Sequence, residues 1–179
     1  MAVIAIDVDL TILRDIGQDW LDWLNKESGK SLTLEDCQYD YDLGKFFTTL
    51  DDPYDFWRAH DLYDNKIPSD DALRVIPKLC RDHDVIFASA IKGDHHKSKY
   101  RMLKRWFPKM KGFLATKEKN FVRCDAFVDD RNKFLNQQGY DVIKLKMDTP
   151  FKQTAPLTNP VTVVKDWYEA YDILKGLDY

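Results

Sequence analysis

Residues 2–13 read AVIAIDVDLTIL. A short, continuous run of alanine and β-branched residues reads as a strand buried on both faces. This one ends in Asp7 and Asp9, two carboxylates one residue apart. A charged group is costly to bury unless something pairs with it, so the end of this strand needs a partner. Further along, DVIFA (84–88) repeats the pattern and ends at Ser89, and DAFV (125–128) runs into Asp129 and Asp130. GFLA (112–115), DVIKLK (141–146) and VTVV (161–164) are further short strand candidates.

The stretches between them have helical spacing. From Asp15 to about Ser28 the apolar residues Ile16, Trp20, Trp23 and Leu24 share a face, and Gly29 is a stop. Pro68-Ser69-Asp70 opens a helix through Asp82 with Leu73, Ile76, Leu79 and Cys80 inward. Another helix spans roughly 94–107, ended by Pro108, and Asp166 caps a last one striped by Trp167, Tyr171 and Leu174. Strands alternating with helices predict an α/β fold, a Rossmann-like parallel sheet with helices on both faces. Roughly 75 residues separate the first two strands, far more than one crossover needs. The excess, 14–68, is acidic and reads as short helices. It is expected to be a small helical cap inserted into a core made of 1–13 and 69–179.

The 179 residues are 44% hydrophobic and 32% charged, which suits one soluble globular domain with a small insertion. No apolar run approaches the roughly 20 residues that cross a bilayer, and the first residues lack a basic stretch and a cleavage site, so neither a membrane span nor a secretory leader is expected. Cys37, Cys80 and Cys124 form no CxxC pair, and a reducing cytoplasm is the expected location. The net charge of −3 is unevenly spread: residues 1–71 carry 17 acids against 6 Lys or Arg, and residues 72–179 carry 13 against 21. The densest basic stretch, 92–111, reads either as a solvated helix face or as a field that draws in an anionic substrate. The near balance of the total argues against stable nucleic-acid binding.

In open α/β sheets ligands bind beyond the carboxyl ends of the strands. Asp7 and Asp9, Ser89, and Asp129 with Asp130 all follow such ends, so three strands deliver polar groups to one rim. Four carboxylates together need a cation, or some must take up protons. Oxygen-only ligands suit Mg²⁺. A calcium loop counted from Asp7 is excluded, because Ile12 and Gln18 stand where Gly and Glu are needed.

The ordered set IAIDVDLT, VIFAS, Lys119 and FVDD resembles the four motifs of the haloacid dehalogenase-like (HAD) phosphatases. The stretches FLATKEKNFVRCDAFVDDR and DNKIPSDDALRVIPKL and the final Trp-containing helix are closer still to the 5′(3′)-deoxyribonucleotidases, which share a helical cap at this position. That family places a Lys ten residues before the acidic pair, the spacing of Lys119 and Asp129. Ser89-Ala90-Ile91 stands where the family often has Thr-Ser-Pro, and Thr11 where it tends to have Val. The resemblance implies a Mg²⁺-dependent phosphomonoesterase acting through an aspartyl-phosphate, with a small phosphomonoester, a nucleoside monophosphate, as substrate. It implies Asp7 as nucleophile and Asp9 as general acid and base. Ser89 and Lys119 would hold the phosphate, and Asp7, Asp130, Asp129 and the backbone carbonyl of Asp9 the metal. Lys99 and Lys117 remain rivals of Lys119. Phe46, Phe47, Phe56 and Trp57 read either as packing or as a wall on which a base stacks. His95-His96 reads as a surface pair. The alternatives carried are a polynucleotide 3′-phosphatase, another small-molecule phosphatase of the same superfamily, and a non-catalytic binding module on the same fold.

Overall fold

The first strand, β1 (Val3–Ile6), lies inside the sheet, where its apolar residues are covered on both faces. A computed structural model describes residues 1–91 and 93–177. The other strands are β2 (Asp84–Ser89), β3 (Gly112–Ala115), β4 (Ala126–Asp129), β5 (Ile143–Met147) and β6 (Thr162–Val164). They form one six-stranded sheet in the order β3-β2-β1-β4-β5-β6, and every pairing is parallel. The chain steps outward from β1 to β3, then crosses back to β4. The order therefore reverses between β1 and β4, and a crevice opens at their carboxyl ends.

The helices are α1 (Ile16–Ser28), α2 (Asp70–Asp82), α3 (His96–Trp106), α4 (Asn132–Leu135) and α5 (Trp167–Leu174). Alternation along the strands divides the core. Ile4, Ile6, Val85, Phe87, Val128 and Leu145 face a large cluster that includes side chains of α1, α2, α3 and α5. Ala5, Ala88 and Phe127 face a small cluster with Val122 and with Phe134 and Leu135 of α4. Both faces carry helix, as the pattern predicts, but the second is covered by a single helical turn and loops. Gly29 ends α1 in the left-handed conformation (φ 68°), which costs glycine little. The Asp166 carboxylate caps α5 by accepting from the Glu169 N–H.

Residues 29–67 form no long helix. They contain two short 3-10 turns, Leu43–Phe46 and Asp55–Arg58. Leu43, Phe47, Phe56 and Tyr63 from this stretch are buried in the large cluster with the strand residues. Two arginines of α3 tie it down: Arg101 makes a two-pronged ion pair with Asp64 (3.0 and 2.7 Å), and Arg105 Nη1 donates to the Asp64 carbonyl (2.7 Å). Lys99, on the same helix, is wholly buried. The basic stretch is thus partly structural, although Lys92 lies outside the described residues.

Candidate active site

Asp7 stands directly after β1, and its backbone N–H donates to the Val128 carbonyl of β4 (2.9 Å). This bond fixes the Asp7 carboxylate against the end of β4, where Asp129 closes the strand and Asp130 follows. Side-chain oxygens of Asp7, Asp129 and Asp130 lie within 4.8 Å of one another, and all three residues are buried.

Lys119 answers the question posed by the first strand. Its Nζ donates to Asp7 Oδ1 (2.7 Å) and to Asp129 Oδ2 (2.6 Å), and the residue is wholly buried. Its backbone is clamped from the turn that follows α4: the Lys119 N–H donates to Gln137 Oε1 (3.2 Å), and Gln138 Nε2 donates to the Lys119 carbonyl (3.1 Å). Burial alone would favour the neutral amine, but Asp129 and Asp7 outweigh it and raise the Lys119 pKa.

One ammonium does not neutralise three carboxylates. Burial pushes Asp129 up to about 7, against the pull of Lys119 and with the push of Asp7. Asp130 is raised well above the usual range by burial and by the charges of Asp129 and Asp7. Its oxygens accept from the Tyr41 hydroxyl and from Thr11 Oγ1 (3.4 Å). Gln153 braces this corner by donating to the Tyr41 oxygen (2.9 Å) and the Asp130 carbonyl (3.1 Å). Three close carboxylate donors, two of them with raised pKa values, Asp129 and Asp130, fit a small, hard divalent cation, which would relieve their repulsion.

Asp9 belongs to a second ion pair. The strand gives way to a tight turn in which Ile12 and Leu13 N–H groups both donate to the Val8 carbonyl. Leu10 takes a left-handed backbone there (φ 62°), unusual for a branched residue. Asp9 Oδ1 accepts from Tyr63 OH (2.8 Å) and Oδ2 from Lys99 Nζ (2.8 Å). Lys99 Nζ also donates to Ser89 Oγ (2.9 Å) and sits 4.4 Å from the centre of the Tyr63 ring. Two of the three rival lysines therefore enter the site, each on its own aspartate; Lys117 is exposed.

A cleft opens over these groups. Asp7, Asp9, Ser89, Lys119 and Asp130 form its floor, and Trp20, Tyr41, Trp57, Tyr63, Phe134 and Phe151 are its aromatic walls. Of the four aromatic residues singled out in the sequence, Trp57 lines the cleft, Phe47 and Phe56 are buried in the packing cluster, and Phe46 packs half-buried against it. The sequence reading missed Tyr41, Tyr63 and Gln153. Nothing in local spacing marks them, because Tyr63 meets Asp9 across 54 residues, Tyr41 meets Asp130 across 89, and Gln153 meets Asp130 across 23. The histidine pair divides: His96 is exposed as expected, but His95 is buried and lines the cleft, which corrects the surface reading.

This architecture is shared with known hydrolases. A protein described as a HAD-hydrolase, YfnB from Bacillus subtilis, solved bound to magnesium, superposes with a TM-score of 0.59 at 16% identity, covering 96% of this chain and 97% of that one. A haloacid dehalogenase-like hydrolase from Burkholderia xenovorans LB400 gives 0.60 at 15% identity, over 97% and 95% of the two chains. One from Xanthomonas campestris gives 0.54 at 9% identity, over 97% and 96%. At such identities the likeness establishes the fold. No curated protein sequence matches the chain significantly. The family model described as "5′ nucleotidase, deoxy (Pyrimidine), cytosolic type C protein" matches residues 1–177. With the HAD fold beneath it and the aspartates in place at the rim, the chain belongs to this 5′-nucleotidase family and is a phosphatase of the nucleotidase type.

Proposed function

We propose that the protein is a Mg²⁺-dependent phosphomonoesterase that forms an aspartyl-phosphate on Asp7 and acts on deoxyribonucleoside monophosphates. The observation that carries this reading is the pairing of two buried lysines with two aspartates, Lys119 on Asp7 and Lys99 on Asp9, beside the carboxylates of Asp129 and Asp130. Asp7, Asp129 and Asp130, with the Asp9 backbone carbonyl, would hold Mg²⁺, which offsets the like charge of carboxylate and phosphate as they meet.

In the first step an Asp7 oxygen bonds to phosphorus while the bond from phosphorus to the leaving oxygen breaks, and Asp9 gives that oxygen a proton. In the second, Asp9 takes a proton from water, the water oxygen bonds to phosphorus, and the acyl phosphate breaks to restore Asp7 and free phosphate. Lys119 holds the Asp7 carboxylate in place through its 2.7 Å hydrogen bond. Lys99 lies between Asp9 and Ser89, so a phosphoryl oxygen arriving at Ser89 draws on the same ammonium.

Residues 14–68 serve in this reading as a cap whose Trp20, Tyr41, Trp57 and Tyr63 meet the leaving group. Trp57 is the base-stacking candidate. The proposed location is the cytoplasm, in keeping with the family description and with three unpaired cysteines. The test is a phosphate-release screen over nucleoside 5′ and 3′ monophosphates, sugar phosphates and 3′-phosphorylated oligonucleotides, with and without Mg²⁺. The expected result is Mg²⁺-dependent release from deoxyribonucleoside monophosphates. Release confined to sugar phosphates or to oligonucleotide ends would overturn the substrate, and undiminished release in chelator would overturn the metal.

A further inference from the structure

His95 occupies the step between β2 and α3, just ahead of the helix that carries Lys99. It is 2% exposed and lines the cleft. Its Nδ1 lies 2.6 Å from the Trp57 backbone carbonyl. A carbonyl oxygen can only accept, so Nδ1 must carry the proton of that bond. Its Nε2 is buried and has no hydrogen-bond partner among the described residues. Burial, followed by the nearby Lys99 charge, lowers the His95 pKa, which favours the neutral ring. A neutral imidazole with its proton on Nδ1 presents a bare lone pair at Nε2.

A buried, unsatisfied polar atom is costly, and in a cleft the ligand is what can satisfy it. The ring stacks at a tilt on Tyr63, 5.1 Å between centres, and Tyr63 holds Asp9. Tyr63 thus bridges the His95 ring and the carboxylate assigned to protonate the leaving oxygen. A substrate group beside His95, one residue removed from Asp9 through Tyr63, belongs to the part of the leaving group nearest the phosphate. In a nucleoside monophosphate that part is the sugar, and its donors are hydroxyl groups. We infer that His95 Nε2 is a specificity-determining acceptor that takes a hydrogen bond from a sugar hydroxyl of the leaving group. The inference rests on the assignment of Asp7 and Asp9 as the reacting pair. The same lone pair repels acceptors, so an ester bearing an ether or a carbonyl at that point is disfavoured.

The experiment compares kcat/KM for a deoxyribonucleoside 5′-monophosphate and its 2′,3′-dideoxy counterpart, and for glycerol 3-phosphate and propyl phosphate, in wild type, His95→Asn and His95→Gln. Asn keeps an amide N–H near the Trp57 carbonyl but has nothing at the Nε2 position, whereas Gln reaches that position with an amide oxygen. Wild type is expected to favour the hydroxyl-bearing member by roughly 2- to 10-fold, the range of one neutral hydrogen bond. The ratio should fall to about 1 in His95→Asn and recover in His95→Gln. Discrimination in the glycerol pair with no turnover of nucleotides would sustain His95 and sink the nucleotide reading. Equal rates within both pairs, or a ratio unmoved by His95→Asn, would overturn the inference. Nitrogen NMR of the imidazole in ligand-free wild type needs neither turnover nor a folded variant. A protonated Nδ1 and bare Nε2 at neutral pH are expected, and the opposite tautomer or an imidazolium overturns the proposal.

Discussion

Lys99 holds Asp9 at 2.8 Å from inside the protein: the lysine is wholly buried, while the aspartate side chain keeps 24% of its surface exposed. The exposed partner faces the cleft, and the buried one is its anchor. Two residues earlier, Lys119 anchors Asp7 in the same way at 2.7 Å. The aspartates are neighbours in sequence, yet they answer to different cations and should fail differently.

Asp7→Asn is expected to lower turnover by at least about 10³-fold, because an amide keeps the shape but cannot attack phosphorus. Circular dichroism should remain native, since the change removes one of three crowded carboxylates. Phosphate release near the wild-type rate from folded Asp7→Asn would eliminate the aspartyl-phosphate route.

Lys119→Met should slow every ester by about 10²-fold or more, because Asp7 and Asp129 lose the cation that neutralises them. Lys99→Met should instead resemble Asp9→Asn. Both would hurt a nucleotide more than nitrophenyl phosphate, whose leaving group departs without a proton. Single-turnover rates on both substrates check this. Equal losses on the two esters would mean that Lys99 acts on the fold and not on Asp9.

Trp57→Ala should raise KM for a nucleotide by roughly 5- to 150-fold, the range of one lost stacking contact, and leave a small baseless ester little changed. Trp57 also packs edge-on against Trp20 and Phe56, 5.5 and 5.0 Å between centres, so thermal unfolding must be followed in parallel. Phe47→Ala, wholly within the core, is the comparison: it should cost about 3–5 kcal/mol of stability. A stable Trp57→Ala enzyme with unchanged nucleotide KM would return Trp57 to packing.

Chelated protein should become less stable as the pH rises from about 5 to 8. Asp129 is raised to about 7 in the fold, above its unfolded value, chiefly by burial, and Asp130 is also raised. A carboxyl raised by folding binds protons that the unfolded chain releases. Its contribution is complete below the unfolded value and is lost as the pH passes the folded one. Each kcal/mol lost lowers Tm by roughly 2–4 °C in a domain of this length. Saturating Mg²⁺ should flatten the slope. Melting curves with EDTA and with Mg²⁺ decide it, and a Tm that climbs with pH in EDTA would contradict the assignment.

The strands and the rim were legible because their signals are local. An apolar run ending in Asp7 and Asp9, and another ending in Asp129 and Asp130, announce themselves within a few residues. Gly29 and Asp166 likewise mark helix ends by their own chemistry. Residues 29–67 lack a period, so nothing in their order tells which aromatic turns to the cleft and which to the core. Phe47 is core while Tyr41, six residues earlier, reaches Asp130. The two lysines could not be ranked by spacing because both enter the site, a fact that depends on α3 presenting Lys99 inward beside Ser89. His95 next to His96 looked like surface, and the burial of one of the pair follows from the close approach of Trp57, 38 residues away.

The uneven covering of the sheet divides the cleft mechanically. Asp7 follows β1, an inner strand of the sheet whose Ile4 and Ile6 pack in the large cluster with α1, α2, α3 and α5. Lys119 hangs from Gln137 and Gln138 just after the single turn of α4, with its ammonium 4.2 Å from the Phe134 ring. A lone turn has few buried contacts to lose and opens at a smaller free energy than a three-turn helix in a large cluster. Amide protons around Leu135 and Asn136 should therefore exchange with solvent well before those of Val75 to Leu79. The nucleophile sits on a stiff frame, and the cation that serves it rides on a wall that can breathe.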